Sequence, residues 1–426
     1  MAKSKNDVAW ESLFTKYNIL SEVKTKGLYE ISAKSINEFR EARLMTKFDH
    51  SSNLPTIFAE NNLSILPITR GSYLIGCFET FHDFNESDTS IQQVMFPTNL
   101  ESINVGDISS EATAINCAYV SEILHRFSDE EALVPTVSGR MSSSQFDFYV
   151  NNKVLAQPSF ISVNNSQIEI DGGYEVHNSL ILIEAKNYIS DDFLIRQLYY
   201  PFRLWQNKLS KTVRPIFLTY TNGIFDLREY KFNAIDNYNS LELIAHQKYT
   251  IQTQYINLEL LQNIVKTTPQ VTEPRDIPFP QADSFARIIN LCELIHDEGC
   301  LSKDTITTNY DFDKRQTDYY VNAARYLALV YQGDDSNFYL TSLGLNLFKL
   351  SLNQRQIELI KLIVQHTVFN KILQSIFSRG RSLSRNEVIE IMKQSNLTNI
   401  VSESTYSRRA STVMAWINWI LNQLEE

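Results

Sequence analysis

The sequence predicts a mixed α/β protein that continues into a mostly helical C-terminal region, and three observations lead to this prediction. Short apolar segments typical of strands alternate with helical periodicity between residues 106 and 270. The stretch 267–281 carries four prolines and little periodicity. Such a stretch is typical of a linker, across which few contacts are expected. Beyond it, helical periodicity continues to residue 426.

Composition excludes several classes of protein. The chain has 426 residues, a net charge of -10 and 43% hydrophobic residues, which is ordinary for a folded protein. Its four cysteines form no CxxC pair, and no HExxH, Walker A or GxGxxG motif is present. We find no apolar run of membrane-spanning length and no apolar signal core near the start, so we expect a cytoplasmic protein without membrane contact.

Four units are predicted along the chain. Residues 1–105 form a mixed α/β domain with possible DNA contact, containing helices near 10–14 and 36–45 and short strands around a turn at Arg70-Gly71. The other predicted units are an α/β domain over 106–270 and two similar helical units over 282–350 and 351–426.

The α/β domain begins with a predicted helix that has a serine cap and an acidic first turn. A later helix contains Pro201, which is expected to kink it. The predicted helices are 109–127 and 191–208, and the predicted strands are 146–150, 159–163, 167–170 and 180–185, with a further strand in RPIFLTYT.

A candidate catalytic set lies in the segment QIEIDGGYEVHNSLILIEAKN. Residues two apart on a strand face the same side, so Glu184 and Lys186 share a face. Asp171 lies 13 positions before Glu184, at the predicted end of the preceding strand. A hairpin therefore brings the two carboxylates together, while Ala185 faces the other way and offers its main-chain carbonyl.

Hydrolysis of a phosphodiester bond uses a set of this kind. Mg²⁺ prefers carboxylate oxygens and retained waters, so Asp171, Glu184 and the Ala185 carbonyl are candidate ligands. The metal polarises the phosphate and lowers the pKa of a bound water. Lys186 is expected to orient that water and to offset charge in the transition state.

Two other acidic residues compete for the ligand role. Glu169 shares a strand face with Asp171, and Glu175 lies in the predicted turn. Asp171 is favoured because it is predicted to end its strand. The glycines that follow, Gly172 and Gly173, would let the backbone turn sharply and let a phosphate approach.

The segment resembles the core of the PD-(D/E)XK nuclease superfamily, and the wider chain resembles type II restriction endonucleases. In that core a helix supplies an acidic residue, a hairpin supplies Asp and Glu-x-Lys, and a helix follows. Glu111, in SSEATAIN, matches the acidic residue on the leading helix. Asp171, Glu184 and Lys186 match the hairpin residues. Glu111 is alternatively a first-turn helix acid without metal contact.

The following helix adds a further match. IRQLYYPFRLW resembles the Gln-x-x-x-Tyr helix of the RecB-like branch, with Gln197 as the glutamine and Pro201 at the tyrosine position. A restriction enzyme implies double-stranded DNA as substrate and a cognate DNA methyltransferase that protects the host. The simplest way to cut both strands is a homodimer, and a heterodimer with a related subunit is the alternative.

A serine-rich segment is a candidate DNA contact. In SGRMSSSQFDF, Arg140, Ser142 and Ser143 would line a phosphate or a base edge. The alternative is a solvated loop before a strand.

The C-terminal sequence resembles winged-helix units that bind DNA. The predicted recognition helix, 315–329, offers Arg315, Gln316 and Tyr319, with a wing over 333–337. The last unit adds Arg408 and Arg409 at the start of its final helix. The alternative is a protein-interaction winged helix.

Together these features predict a sequence-specific, Mg²⁺-dependent double-strand DNA endonuclease. The alternatives are a repair or recombination nuclease of the same superfamily and a non-catalytic winged-helix regulator. If the C-terminal units are not the readers, the basic residues Arg40, Arg43, Lys47 and Arg70 are the next candidates.

Overall fold

The computed structural model describes residues 4–84, 89–251, 256–395, 397, 400 and 402–424. It is a mixed α/β structure, as the sequence predicts. Among these residues, no helix combines the length and apolar character needed to span a membrane.

The N-terminal unit is a small three-stranded sheet covered by helices. Its elements are α1 (Lys5–Tyr17), α2 (Ile19–Lys26), β1 (Leu28–Ser32), α3 (Ala33–Ile36), α4 (Ala42–Met45), a 3₁₀ turn (Ser51–Asn53), α5 (Thr56–Glu60), β2 (Ser64–Pro67) and β3 (Ser72–Gly76). The antiparallel sheet has the order β1-β3-β2. Trp10 and Phe14 recur on one face of α1 and pack with Phe58 in the core, as the amphipathic pattern predicts.

The central unit is built on a mixed sheet with helices on both faces. Its elements are β4 (Phe81–Asp83), β5 (Ile91–Gln93), α6 (Glu111–Val120), α7 (Ile123–Ser128), β6 (Val134–Ser142), β7 (Gln145–Val150), β8 (Ser159–Asn164), β9 (Gln167–Glu175), β10 (Ser179–Lys186), β11 (Asp192–Leu194), α8 (Arg196–Gln206), β12 (Thr212–Thr221), β13 (Ile224–Phe232), β14 (Leu241–Thr250) and α9 (Leu258–Thr267). The sheet order is β5-β14-β13-β12-β10-β9-β6, in which β10/β12 and β5/β14 are parallel.

Strand β10 is buried along its whole length, and its side chains alternate between two cores. Leu180 and Leu182 pack on the side of α8. Ile181 and Ile183 pack on the side of α6. This period of two places the next even-numbered residues, Glu184 and Lys186, on the α8 face.

Two helices are shorter than predicted. The predicted helix over 109–127 starts at Glu111, after a Ser110 cap, and breaks at Glu122, which has a positive φ of 61°. The predicted helix over 191–208 starts at Arg196. Residues 192–194 instead form β11, which pairs with β4. That pairing joins residues more than a hundred positions apart, so local periodicity did not reveal it.

The predicted N-terminal unit, 1–105, contributes to two sheets beyond its own. After β3, strand β4 pairs with β11 and strand β5 pairs with β14 of the large sheet. The independent small sheet therefore ends at Gly76, and the chain from Phe81 onward packs as part of the central unit.

The C-terminal unit folds around one hydrophobic core. Its elements are α10 (Phe285–Glu298), α11 (Lys303–Asn309), α12 (Lys314–Tyr326), β15 (Val330–Gln332), β16 (Phe338–Leu340), α13 (Ser342–Leu347), α14 (Leu352–Val364), α15 (Thr367–Arg379), α16 (Arg385–Lys393) and α17 (Glu403–Leu421). Leu327 and Trp416 belong to the same core, so the two predicted units, 282–350 and 351–426, pack as one. The β15–β16 hairpin follows the helices of the first predicted unit. Among the described residues of the second predicted unit, no hairpin follows the helices.

The proline-rich stretch packs along the C-terminal unit. The Val271 N–H donates to the Gln365 carbonyl at 2.9 Å, and Gln270 Nε2 donates to the Val364 carbonyl at 3.0 Å. Phe279 is buried in the C-terminal core. The prediction of a linker with few contacts is therefore wrong. Proline lacks an N–H and is unfavourable inside regular structure, but its neighbours in this stretch still hydrogen-bond to carbonyls at the end of α14.

The segment after β10 is held by the N-terminal unit. His50 Nδ1 lies 2.6 Å from the carbonyl oxygen of Asp192, and His50 Nε2 lies 3.0 Å from the Tyr188 hydroxyl. A carbonyl only accepts, so Nδ1 carries the proton and the Tyr188 hydroxyl donates to Nε2. The Tyr188 ring also packs edge-on against Tyr310 of the C-terminal unit. Three units therefore meet two residues beyond Lys186.

Helix α10 holds the same segment from the other side. Asn290 is fully buried, its Nδ2 donates to the Asn187 carbonyl, and its Oδ1 accepts from the Ile189 N–H, both at 3.0 Å. One turn earlier, Arg287 donates to Asp191 at 2.7 Å. The C-terminal unit thus satisfies main-chain groups that no strand or helix pairs.

We expect Asn290→Ala to lower the free energy of unfolding by about 1–3 kcal/mol, because two buried main-chain groups lose their partners. Urea denaturation measures the change. The control is Asn346→Ala on the exposed surface of α13, which should stay within about 0.5 kcal/mol of wild type. An Asn290→Ala protein as stable as wild type would show that the segment does not depend on this amide.

Candidate active site

The β9–β10 hairpin brings the predicted carboxylates together. Its antiparallel register pairs Gly172 with Ile183, which sets Asp171 opposite Glu184. Asp171 Oδ2 accepts a hydrogen bond from the Ala185 N–H at 2.8 Å. This bond fixes the Asp171 carboxylate against the edge of β10, one residue from Glu184.

Lys186 lies among the carboxylates. Its Nζ donates to Glu184 Oε1 at 2.6 Å and to the Ala185 carbonyl at 2.9 Å, and lies 3.5 Å from Glu111 Oε1. The side chains of Lys186 and Glu184 are only 9% and 11% exposed. The ammonium therefore links the hairpin to the leading helix inside a nearly buried site.

Glu111 reaches the site because α6 begins beside it. Ser110 caps the helix by accepting from the Thr113 N–H, so Glu111 is the first helical residue. Its side chain is 39% exposed and points to Lys186. A first-turn position also suits a carboxylate electrostatically, since the helix N-terminus carries partial positive charge.

Gly172 and Gly173 have a different role from the predicted one. They lie within β9, which continues to Glu175, so the prediction that Asp171 ends its strand is wrong. A Cβ on Gly173 would lie 2.7 Å from Val137 Cβ, and one on Gly172 would lie 3.2 Å from Ile115 Cγ2. The glycines therefore allow β6 and α6 to approach β9, which brings Glu111 to the hairpin.

The carboxylates outnumber the ammonium that contacts them. Burial raises the pKa of Glu184 to about 8, Lys186 opposes this rise, and Asp171 adds to it. Burial also raises the pKa of Glu111, again against the pull of Lys186. Burial alone would lower the pKa of Lys186, but Glu184 and Glu111 raise it well above its usual value, so Lys186 stays charged. The site carries a surplus of acidic groups that further positive charge would stabilise.

Gln197 joins the site from α8. Its Nε2 donates to Glu184 Oε1 at 2.7 Å. Its Oε1 is buried and has no hydrogen-bond partner among the described residues. Both Gln197 and Pro201 line a cavity of about 300 Å³. A buried acceptor without a partner beside a cavity is suited to a donor supplied by a ligand or water.

Several residues of this cavity were not predicted as part of the catalytic site. Lys47 and Asp49 come from the N-terminal unit and lie 3.5 Å apart between Lys47 Nζ and Asp49 Oδ2. Tyr188 also contributes to the cavity. The sequence signal was indirect, because Lys47 stood out only as one of four basic residues of the N-terminal unit, and no spacing relates it or Asp49 to the hairpin.

The competing acidic residues are engaged elsewhere. Glu169 borders the cavity, but its carboxylate pairs with Arg140 at 3.2 Å on the exposed side of the sheet. Glu175 pairs with Lys211 at 2.6 Å, at the opposite end of the hairpin. Of the three carboxylates, Asp171 is the better placed, because it lines the cavity and accepts from the Ala185 N–H of β10.

The serine-rich segment spans the end of β6 and the start of β7, and only Ser143 and Ser144 lie in the connection between them. Arg140 and Ser142 lie on β6, where the Ser142 hydroxyl donates to Asn165 Oδ1 at 2.9 Å. Ser143 is fully buried, and its hydroxyl donates to the Ser144 carbonyl. Of these predicted DNA contacts, Ser143 is inaccessible in this conformation.

The C-terminal candidates lie away from the cavity, which no described residue beyond Pro201 lines. Arg315 and Tyr319 pair with each other at the start of α12, with the guanidinium 5.4 Å from the ring centroid. Gln316 Oε1 accepts from the Asp313 N–H in a capping box. Arg408 is exposed, whereas Arg409 is half-buried and donates to Gln281.

Three family models match the chain, and each is described as a domain of unknown function. They are DUF6996 over residues 7–75, DUF6997 over 76–250 and DUF7226 over 287–425. No curated protein and no solved structure matches. The DUF6997 match contains Glu111, Asp171, Glu184 and Lys186. The DUF6996 match contains Lys47 and Asp49. Residues from two of these family matches therefore line the cavity.

We expect Gly173→Ala to destabilise the protein by about 1–3 kcal/mol, since the new methyl group would overlap Val137. Gly172→Ala should cost less, because Ile115 has only to shift slightly. Gly71→Ala is the control, as a Cβ added there would meet nothing within 4 Å. Thermal or urea denaturation ranks the three. Equal stability of Gly173→Ala and Gly71→Ala would contradict the close approach of β6.

Proposed function

We propose that the chain is a Mg²⁺-dependent DNA endonuclease of restriction type, with a PD-(D/E)XK core in its central unit. The observation that carries the proposal is the convergence of Asp171, Glu184, Lys186 and Glu111 in one cavity. Three of these residues come from a hairpin and one from the leading helix, which is the arrangement that the resemblance implies.

The donor set fits a hard divalent cation. Asp171, Glu184, Glu111 and the Ala185 carbonyl offer only oxygen, and the surplus of buried acid favours a cation. Among the described residues, no group of three or more His, Cys, Asp or Glu side chains is arranged to hold a metal. Mg²⁺ does not need such a cage, since it usually takes one or two carboxylates, waters and substrate phosphates. Such a cation supplies positive charge to the scissile phosphate and makes water more acidic.

We assign the remaining groups to water and to the transition state. Lys186 carries N–H donors at the cavity, suited to the attacking water and to the negative charge that develops on phosphorus-bound oxygens. The free Oε1 of Gln197 is suited to accept from the same water, while its Nε2 holds Glu184 in place. Tyr188 lines the same cavity.

We assign DNA reading to the C-terminal unit. The order of α10, α11, α12 and the β15–β16 hairpin matches the winged-helix arrangement, with α12 as the recognition helix. Arg315 and Tyr319 at its start, and Arg408 on α17, are the candidate contacts. A homodimer, or a heterodimer with a related subunit, would cut both strands, and a methyltransferase gene nearby would protect the host.

Incubation of the full chain with unmethylated phage DNA and Mg²⁺ tests the proposal, and discrete fragments are expected. Lys186→Ala should abolish cleavage while DNA binding stays near wild type, because the lysine acts on water and the transition state. Lys211→Ala is the control, since it removes an ammonium paired with Glu175 at the far end of the hairpin. Wild-type cleavage rates in Lys186→Ala would refute the assignment.

Metal binding gives an independent readout. Mg²⁺ or Ca²⁺ at 100 times its dissociation constant should stabilise wild type by about 2.7 kcal/mol. Asp171→Asn and Glu184→Gln should lose most of this gain, and Glu175→Gln should keep it. Thermal unfolding with and without the cation measures the difference. An unchanged gain in both site variants would place the cation elsewhere.

A further inference from the structure

A second cavity, of about 470 Å³, lies between the N-terminal and central units. One wall comes from α3, α4 and the β2–β3 turn, and the other from the β8–β9 turn and the start of α8. Lys47 and Arg196 line both this cavity and the catalytic one, so the two adjoin. Its volume lies within the range of pockets that hold small ligands.

The rim of this cavity is cationic. Arg43 and Arg70 are exposed there, and neither forms an ion pair with any described residue. Lys47 lies 3.5 Å from Asp49, and the Arg196 guanidinium lies 5.8 Å from the ring centroid of Tyr200. Among the described residues that line this cavity, Glu41 carries the one carboxylate. Four cations against one carboxylate, on a chain of net charge -10, favour an anionic ligand.

The inner wall is apolar and carries a polar atom without a partner. Phe48 and Leu194 are buried there, and Tyr73 is half-buried. Ser166 is fully buried, and its Oγ has no hydrogen-bond partner among the described residues. A buried hydroxyl without a partner is costly, and turning it toward the cavity would let it bond to a ligand with a hydrogen-bonding edge.

We infer that this cavity binds one nucleotide unit, with the base inside and the phosphate at the rim formed by Arg43 and Arg70. A nucleobase combines a flat apolar face with a hydrogen-bonding edge, and its phosphate is anionic. Because the cavity adjoins the catalytic one, the nucleotide is one extruded from the strand being cut. This source rests on the proposed function, whereas a free nucleotide would satisfy the same chemistry.

Two probes separate these sources, both used with the full-length chain. The first is dAMP, titrated by calorimetry. The second is a duplex carrying the cleaved site, with 2-aminopurine at successive positions, bound to Lys186→Ala so that it stays intact. An extruded base gives a fluorescence rise at one position.

The key variant is Arg43→Glu with Arg70→Glu. It should abolish the fluorescence rise and weaken dAMP binding about tenfold or more, since charge-assisted bonds to the phosphate are lost. The charge-matched control is Lys24→Glu with Lys153→Glu, two exposed lysines that line neither cavity. The control should leave both signals unchanged.

Ser166→Ala tests the inner wall. It should weaken nucleotide binding while thermal stability stays equal or rises, because the hydroxyl has no partner to lose among the described residues. A purely structural serine would instead lower stability and leave binding unchanged.

The outcomes are distinguishable. A fluorescence rise lost in the arginine variant supports an extruded nucleotide, and dAMP binding without that rise supports a free nucleotide at the same site. If neither signal is seen while Arg43 and Arg70 are intact, the inference is overturned, even if the wild-type protein cuts DNA. Conversely, dAMP binding by a protein that cuts no DNA supports the nucleotide site and refutes the proposed endonuclease activity.

Discussion

The main-chain polar groups between Asn187 and Asp192 impose the constraint on which the arrangement of the three units depends. The chain leaves a fully buried strand here, so these groups cannot all turn to solvent. Asn290 pairs two of them from the C-terminal unit, and His50 pairs a third from the N-terminal unit. Separating the units would strip these groups of partners next to Lys186. The position of Lys186, the proposed catalytic lysine, is thus a property of the whole chain.

A second constraint is steric, and it acts on the opposite end of the site. Glu111 reaches Lys186 only because α6 packs directly on β9, where Gly172 presents no side chain to Ile115. Burial normally favours the neutral form of a carboxylate, but the contact with Lys186 offsets the cost of burying the Glu111 carboxylate at this position. Close packing and charge pairing therefore reinforce each other, and a bulkier residue in β9 would disturb both.

The local parts of the site were predictable from the sequence, and the long-range parts were not. A period of two suffices to put Glu184 and Lys186 on one face, and a capping serine suffices to start α6 near Glu111. No periodicity relates Lys47 or Asn290 to that hairpin, since their contacts depend on how units pack. The pairing of residues 192–194 with β4 was not predicted for the same reason. Local patterns specify elements, whereas tertiary partners decide where elements begin and what they touch.

The distribution of charge shows how an acidic chain could bind the polyanionic substrate that we propose. Many acidic groups are neutralised within the fold, as Glu175 is by Lys211 and Asp191 is by Arg287. At the proposed catalytic cavity the acidic residues remain in excess, and they would repel a phosphate unless a cation is bound there as well. The adjoining rim of Arg43 and Arg70 has the opposite sign and attracts phosphate without a metal. Under the proposed function, arginines would hold one strand beside a site that accepts it only together with its cation. Binding and cleavage would then be separable functions of neighbouring surfaces.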